Sequence, residues 1–289
     1  MTFRHFSISR RTIAMVAALA GTVSLAIGAH AALSLRALDA AKAVSTEQSA
    51  DAARRASRIA LVIGNGHYPD AGEPLTQPIS DARALTTALR RDGFDVDVVE
   101  DASKDDMARA IGRLKSKIKR DSVVMLFFGG YGVQVGRESY MIPVDAVIWK
   151  EADVRRDGLS IESVLEVMKE RGARAKLVVV DASRRNPYER RFRAFSHGLA
   201  PINAPDNALI LSSATPGQVA DDSSGQNSVL VTELLNNIGS KAAGAEALFT
   251  KTRIAVSRAS NGEQVPSVSS SLLEDVRLAA EMAAEKAGG

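Results

Sequence analysis

The chain has 289 residues, enough for one sizeable hydrophobic core or two small ones. It contains no cysteine and four histidines, which excludes disulfides, thiolate metal sites and thiol nucleophiles and leaves little for a transition-metal site. A net charge of +3 is too small an excess to argue for nucleic acid.

Arg4, Arg10 and Arg11 precede Thr12 to Leu35, a stretch without Asp, Glu, Lys or Arg. A basic region followed by an apolar one reads as an export signal, and Ala29-His30-Ala31 suits its cleavage site. The stretch is also long enough to span a bilayer. Residues 1–35 are therefore expected to be a signal peptide or a membrane anchor, with the folded part exported to a periplasmic or extracellular space in either case. Any membrane contact is expected through this segment alone. Residues 36–57, rich in Ala, Ser and charge, read as a linker; residues 58–278 read as the folded domain and 279–289 as a tail.

Arg58-Ile-Ala-Leu-Val-Ile63 is a continuous apolar run closed by Gly64-Asn65-Gly66, a buried strand and its turn. The glycines do not make a dinucleotide fingerprint, because Pro69 stands where the third glycine belongs. Residues 78–91 predict an amphipathic helix, capped by Ser80 or Asp81, with Ala82, Leu85, Ala88 and Leu89 as its apolar stripe. Residues 94–99 predict a strand. Ser103 opens a helix to about Lys119, whose Lys115, Lys117, Lys119 and Arg120 read as a solvated face.

Residues 121–128 predict a buried strand ending in Gly129-Gly130-Tyr131-Gly132, followed by a hairpin to Tyr140-Met-Ile-Pro-Val-Asp145. Ser160 caps a helix to about Arg171. Lys176-Leu-Val-Val-Val-Asp181 is a further buried strand, as is Ala208-Leu-Ile-Leu-Ser-Ser213. Helices are expected at about 229–238 and 243–259, then a polar segment near Gln264 and a last Ala- and Glu-rich helix. Strands apolar on both faces, alternating with helices, predict an α/β domain with a mostly parallel central sheet and helices on both faces.

Ligands of open α/β sheets bind beyond the carboxyl ends of the strands, where Asp181 and Ser183 stand. Tyr131 ends another strand, 52 residues before Ser183. The blocks at 58–65, Ser80-Asp81-Ala82, Phe127-Phe-Gly-Gly-Tyr131-Gly132-Val-Gln134, 140–145, Asp181-Ala-Ser183-Arg184-Arg-Asn-Pro187, 214–220 and Asn227-Ser228 resemble, in order, those of the caspase-like peptidases (peptidase C14), particularly the bacterial metacaspase-type branch. The resemblance implies the caspase–haemoglobinase fold. It also implies that Tyr131 stands at the catalytic His position, Ser183 at the catalytic Cys position, and the N–H groups of Gly132 and Ser183 at the oxyanion hole.

Both departures remove chemistry. A serine hydroxyl needs an adjacent base, and a tyrosine of pKa about 10 is protonated at pH 7 and serves poorly as one. Tyr131 and Ser183 can instead hydrogen-bond one another. His67, His197 and the pattern of Ser116 with Lys119 are weaker candidates for rescue; a loop histidine facing solvent or capping a turn is the plainer reading of His67.

By the same resemblance, Asp81 and Asp181 correspond to the acids that receive a basic P1 side chain. The plainer alternatives are a helix cap for Asp81 and a satisfied strand-end carboxylate for Asp181. Two functions stay open: a pseudopeptidase that binds peptides or proteins with exposed Arg or Lys, or regulates an active caspase-like relative, and a hydrolase using Ser183 as its nucleophile. A structural module with an idle sheet edge is a third. No cofactor, metal or nucleic acid is expected. Calcium enters by resemblance only, and the Asp221-Asp222 pair gives it little support.

Overall fold

A computed structural model describes residues 58–70, 74–185, 187–188, 198–220, 225–238, 244–274 and 276–278. The expected signal or anchor, the linker, the tail with its last helix, His197 and Asp221-Asp222 lie outside the described residues. No helix among the described residues is long and apolar enough to cross a membrane.

Six strands form the central sheet: β1 (Arg58–Gly64), β2 (Asp95–Glu100), β3 (Val123–Gly129), β7 (Ala175–Asp181), β8 (Ala208–Ser212) and β9 (Ser267–Ser270). Their order is β2-β1-β3-β7-β8-β9, all parallel except β9. A small antiparallel sheet of β4 (Gly132–Val135), β5 (Glu138–Met141) and β6 (Leu159–Ser160) stands beside it.

Helices α1 (Pro78–Arg91), α5 (Val229–Ile238) and α6 (Ala245–Ala259) cover one face, where Leu85, Leu89, Leu234 and Phe249 meet Val62, Phe127 and Val179. Helices α2 (Lys104–Lys117) and α4 (Ile161–Glu170) cover the other, where Met107, Leu114, Val164 and Met168 meet Leu61, Leu126 and Val178. A short helix α3 (Glu151–Asp157) precedes β6. The run of seven buried residues in β7 is thus a strand covered from both sides. This is the α/β arrangement expected from the pattern.

Local chemistry sets several boundaries. Ser103 caps α2 by accepting from the Asp106 N–H, and Asp106 returns the bond to the Ser103 N–H. Ser160 accepts from Ser163 N at the start of α4. The expected cap of α1 is corrected: Gln77 is the N-cap residue, without a side-chain cap bond, and Pro78 follows it with its fixed φ. Asp81 lies inside the first turn, so capping does not explain it. The polar segment after Gln264 turns into β9, a strand its serines did not announce; it lies at the sheet edge and is not fully buried.

α1 is docked tightly. A methyl group on Gly64 would sit 2.4 Å from the Pro78 carbonyl oxygen and 2.8 Å from Ala82 Cβ. Gly64→Ala is therefore expected to lower stability by about 3 kcal/mol, because helix backbone must move to relieve the overlap. Denaturant titration should show a lower midpoint at unchanged slope; an unchanged midpoint would contradict the tight docking.

Candidate functional site

The parallel register of β3 on β7 pairs Gly129 with Asp181, an offset of 52 residues held along the whole ladder. Two residues further on each strand come Tyr131 and Ser183. Their 52-residue spacing is therefore the register itself, and the ladder brings the two positions to the same edge. It continues past the strands, with Gly130 N donating to Asp181 O (3.2 Å) and Gly132 N to Ala182 O (3.1 Å).

Ser183 is buried, and its Oγ has no hydrogen-bond partner. The Tyr131–Ser183 bond that the sequence allowed is not formed. Tyr131 is buried with its ring edge-on to Tyr68, centroids 4.9 Å apart. The Tyr68 hydroxyl accepts from Tyr131 N (3.0 Å) and donates to Ile142 O (3.0 Å). Burial holds the Tyr68 phenol protonated far above its usual range, so it is no base either. Gly130, with φ of +156°, passes so close to this hydroxyl that a methyl group there would lie 2.5 Å from it.

The two N–H groups at the oxyanion positions already have acceptors. Gly132 N donates along the extended ladder, as given above. Ser183 N donates to Ser213 Oγ (3.3 Å). Oxyanion stabilisation needs donors aimed at open space where charge develops.

His67 is two strands away, in the turn after β1, with its side chain 69% exposed. Its Nδ1 lies 2.6 Å from Asp101 Oδ2, and Asp101 Oδ1 accepts from the N–H groups of Gly66 and His67. The imidazole closes this turn and is not brought to Ser183. Ser116 donates to Arg113 O on α2, on the flank of the domain.

Asp81 and Asp181 do come together. Asp81 is fully buried; its Oδ1 accepts from Asn227 Nδ2 (2.8 Å) and Ser228 N (3.0 Å), and its Oδ2 has no partner. Asp181 is 3% exposed, and its Oδ2 also has no partner. Burial first, and then the charge of Asp181, push the Asp81 carboxyl up to about 7, against the pull of the Asn227 and Ser228 bonds.

The chain places a cation of its own beside this pair. Buried Arg184 donates from Nη1 to Asp181 O (2.6 Å) and Gly130 O (3.3 Å), and the same nitrogen lies 3.6 Å from Asp181 Oδ1. These bonds leave the second oxygen of each carboxylate unsatisfied. Asn227, Ser228, Ser213, Tyr68 and Arg184 were not singled out as site residues. Asn227, Ser228 and Arg184 lay inside quoted motifs, but nothing local in the sequence shows which carboxylate or carbonyl each one meets.

Comparison with known proteins gives four further findings. Residues 57–277 match the family model described as the caspase domain. The chain is 27% identical over 144 residues to the human mucosa-associated lymphoid tissue lymphoma translocation protein 1, covering 50% of this chain and 17% of that protein. The mouse homologue is 27% identical over 133 residues, covering 46% of this chain and 16% of it. The chain thus spans less than a fifth of the length of these curated relatives. The crystal structure of caspase-1 from Spodoptera frugiperda superposes with a TM-score of 0.58 at 14% identity, over 78% of this chain and 91% of that one.

Proposed function

The chain belongs to the caspase-domain family, and from that premise we propose that it is a pseudopeptidase: a binding domain for peptides or proteins that present a basic side chain, without turnover. The observation that carries this reading is the pair of buried carboxylates with an unpartnered oxygen each. Uncompensated buried carboxylate is costly, and a guanidinium or ammonium group offers the missing donors. Both carboxylates lie below the surface, so a long cationic side chain suits them. Ser183 supports the reading from the other side. Among the described residues it has neither a base within hydrogen-bond reach nor an open oxyanion donor, the two things a serine nucleophile requires.

Isothermal titration with a short arginine-containing peptide tests it. Binding should be measurable, weaken at least tenfold in Asp181→Ala, and be absent for the same peptide with Gln in place of Arg. Equal affinity for the Arg and Gln peptides would refute the proposal.

Affinity should also follow pH. A guest cation needs Asp81 ionised, so binding releases a proton below the carboxyl's pKa of about 7. Affinity is expected to fall about tenfold from pH 8 to pH 6 and to level off above pH 8. A flat profile would remove Asp81 from the guest's surroundings.

A further inference from the structure

We propose that the edge of the sheet opposite the site docks on an anionic phospholipid surface through Lys119, Arg120, Arg171 and Arg174. These residues lie in the turns that lead into β3 and β7, at the amino ends of the strands. All four are exposed. Several hydrogen bonds bind the two turns into one surface. Arg171 Nε donates to Lys115 O (3.1 Å), Ser122 N to Lys119 O (3.1 Å) and Arg174 N to Ser122 O (2.9 Å). The backbone of Gly172 lies against Arg120, where a methyl group would come within 3.4 Å of Cγ.

The four form no ion pair among the described residues, although exposed Asp121 and Glu170 stand beside Arg120 and Arg171 in the chain. Arg83, Arg109, Arg113, Arg155 and Arg156 on the rest of the domain each have a carboxylate within ion-pair distance. Around the cluster, Lys115 has Glu170 at 4.0 Å and Lys169 has Glu166 at 3.7 Å. Among the described residues, none of Lys119, Arg120, Arg171 and Arg174 has such a partner. The negative ends of the α2 and α4 dipoles account for basic residues in the last helical turns, but the effect fades within one turn. Lys119, Arg120 and Arg174 lie past the helix ends. Like charges on one surface repel one another, and an anionic surface relieves that repulsion.

Two observations favour a lipid surface over nucleic acid. The chain enters the domain at Arg58, the first residue of β1, on this same edge of the sheet. Ahead of it by 22 residues ends the uncharged stretch from Thr12 to Leu35, read above as a signal or anchor. The cluster also contains no aromatic residue on which a base could stack. The one tryptophan, exposed Trp149, belongs to the segment after β5, which meets the opposite edge of the sheet where Val144 N bonds Ala102 O beyond β2.

Sedimentation of the full chain with lipid vesicles decides the matter. Phosphatidylcholine vesicles measure binding through the apolar stretch alone, and the same vesicles with phosphatidylglycerol added measure the cluster. The chain is expected to prefer the anionic vesicles by roughly a hundredfold at low salt, with the preference shrinking as salt is raised. The combined substitution Lys119→Gln, Arg120→Gln, Arg171→Gln, Arg174→Gln should abolish the preference and leave binding to neutral vesicles and arginine-peptide affinity unchanged. Equal binding of the unmodified chain to both vesicle types overturns the proposal, as does a preference that survives in the quadruple variant. Tighter binding to duplex DNA than to anionic vesicles at the same salt also overturns it and gives the cluster to nucleic acid.

Discussion

The purified chain should release no fluorophore from arginyl or lysyl peptides, and Ser183→Ala should leave that background unchanged. Serine proteases stripped of one triad member already lose on the order of 10⁴–10⁶ in turnover. Among the described residues the serine faces no base: Tyr131 is packed against Tyr68 and His67 is held in the Asp101 turn. Turnover or labelling by a serine-reactive phosphonate that vanishes in Ser183→Ala would reverse the conclusion. The complementary variant puts chemistry back: Tyr131→His with Ser183→Cys supplies a base and a partly ionised nucleophile at neighbouring strand ends. Slow cleavage after basic residues is expected, held down because Gly132 N and Ser183 N already donate to Ala182 O and Ser213 Oγ. Removing the second acceptor with Ser213→Ala should then raise the rate. No increase would show that these N–H groups play no part.

Asp81→Asn should trade binding for stability. The unfolded carboxyl titrates near 3.8 and the folded one near 7, so the folded state holds the proton more tightly. Below pH 4 the group is neutral in both states and costs nothing. Between pH 4 and 7 the unfolded state ionises first, and the stability of the fold declines as pH rises; above pH 7 the full penalty stands. The interval corresponds to at most about 4 kcal/mol. Asparagine keeps an acceptor oxygen for Asn227 and Ser228 and removes the charge facing Asp181. Melting at pH 8 should therefore rise by several degrees in Asp81→Asn, and at pH 5 by about a third as much. Arginine-peptide affinity should fall by roughly a hundredfold, as on removing one partner of a buried charge pair. Equal stabilisation at both pH values would mean that the carboxyl is not the source.

The sheet was legible in the sequence because its strands are buried on both faces. Val123–Gly129 and residues 177–180 read as unbroken apolar runs, and helices lie on each side. α3 and β9 were missed for the opposite reason: Glu151–Asp157 is short and highly charged, and Ser267–Ser270 has one apolar residue in four. Within the site, pattern places Asp181 and Ser183 beyond a strand end, and the resemblance to the caspase-like blocks singles out Tyr131 and Asp81 beside them. The residues that decide what those four can do could not be named this way. Asn227 and Ser228 reach Asp81 across about 146 residues of chain, and Ser213 reaches Ser183 across 30. Such bonds follow from the order of strands, which periodicity along the chain does not encode.

The shared offset of β3 and β7 has a consequence for how such a domain changes over time. The spacing of the two positions is a property of backbone pairing and owes nothing to the side chains they carry. Chemistry and scaffold are therefore separable. Either side chain can be exchanged without moving the other, and the segment between them can lengthen or shorten in its turns while the two stay abreast. A chain built this way can exchange both residues and keep the paired strands that hold them abreast.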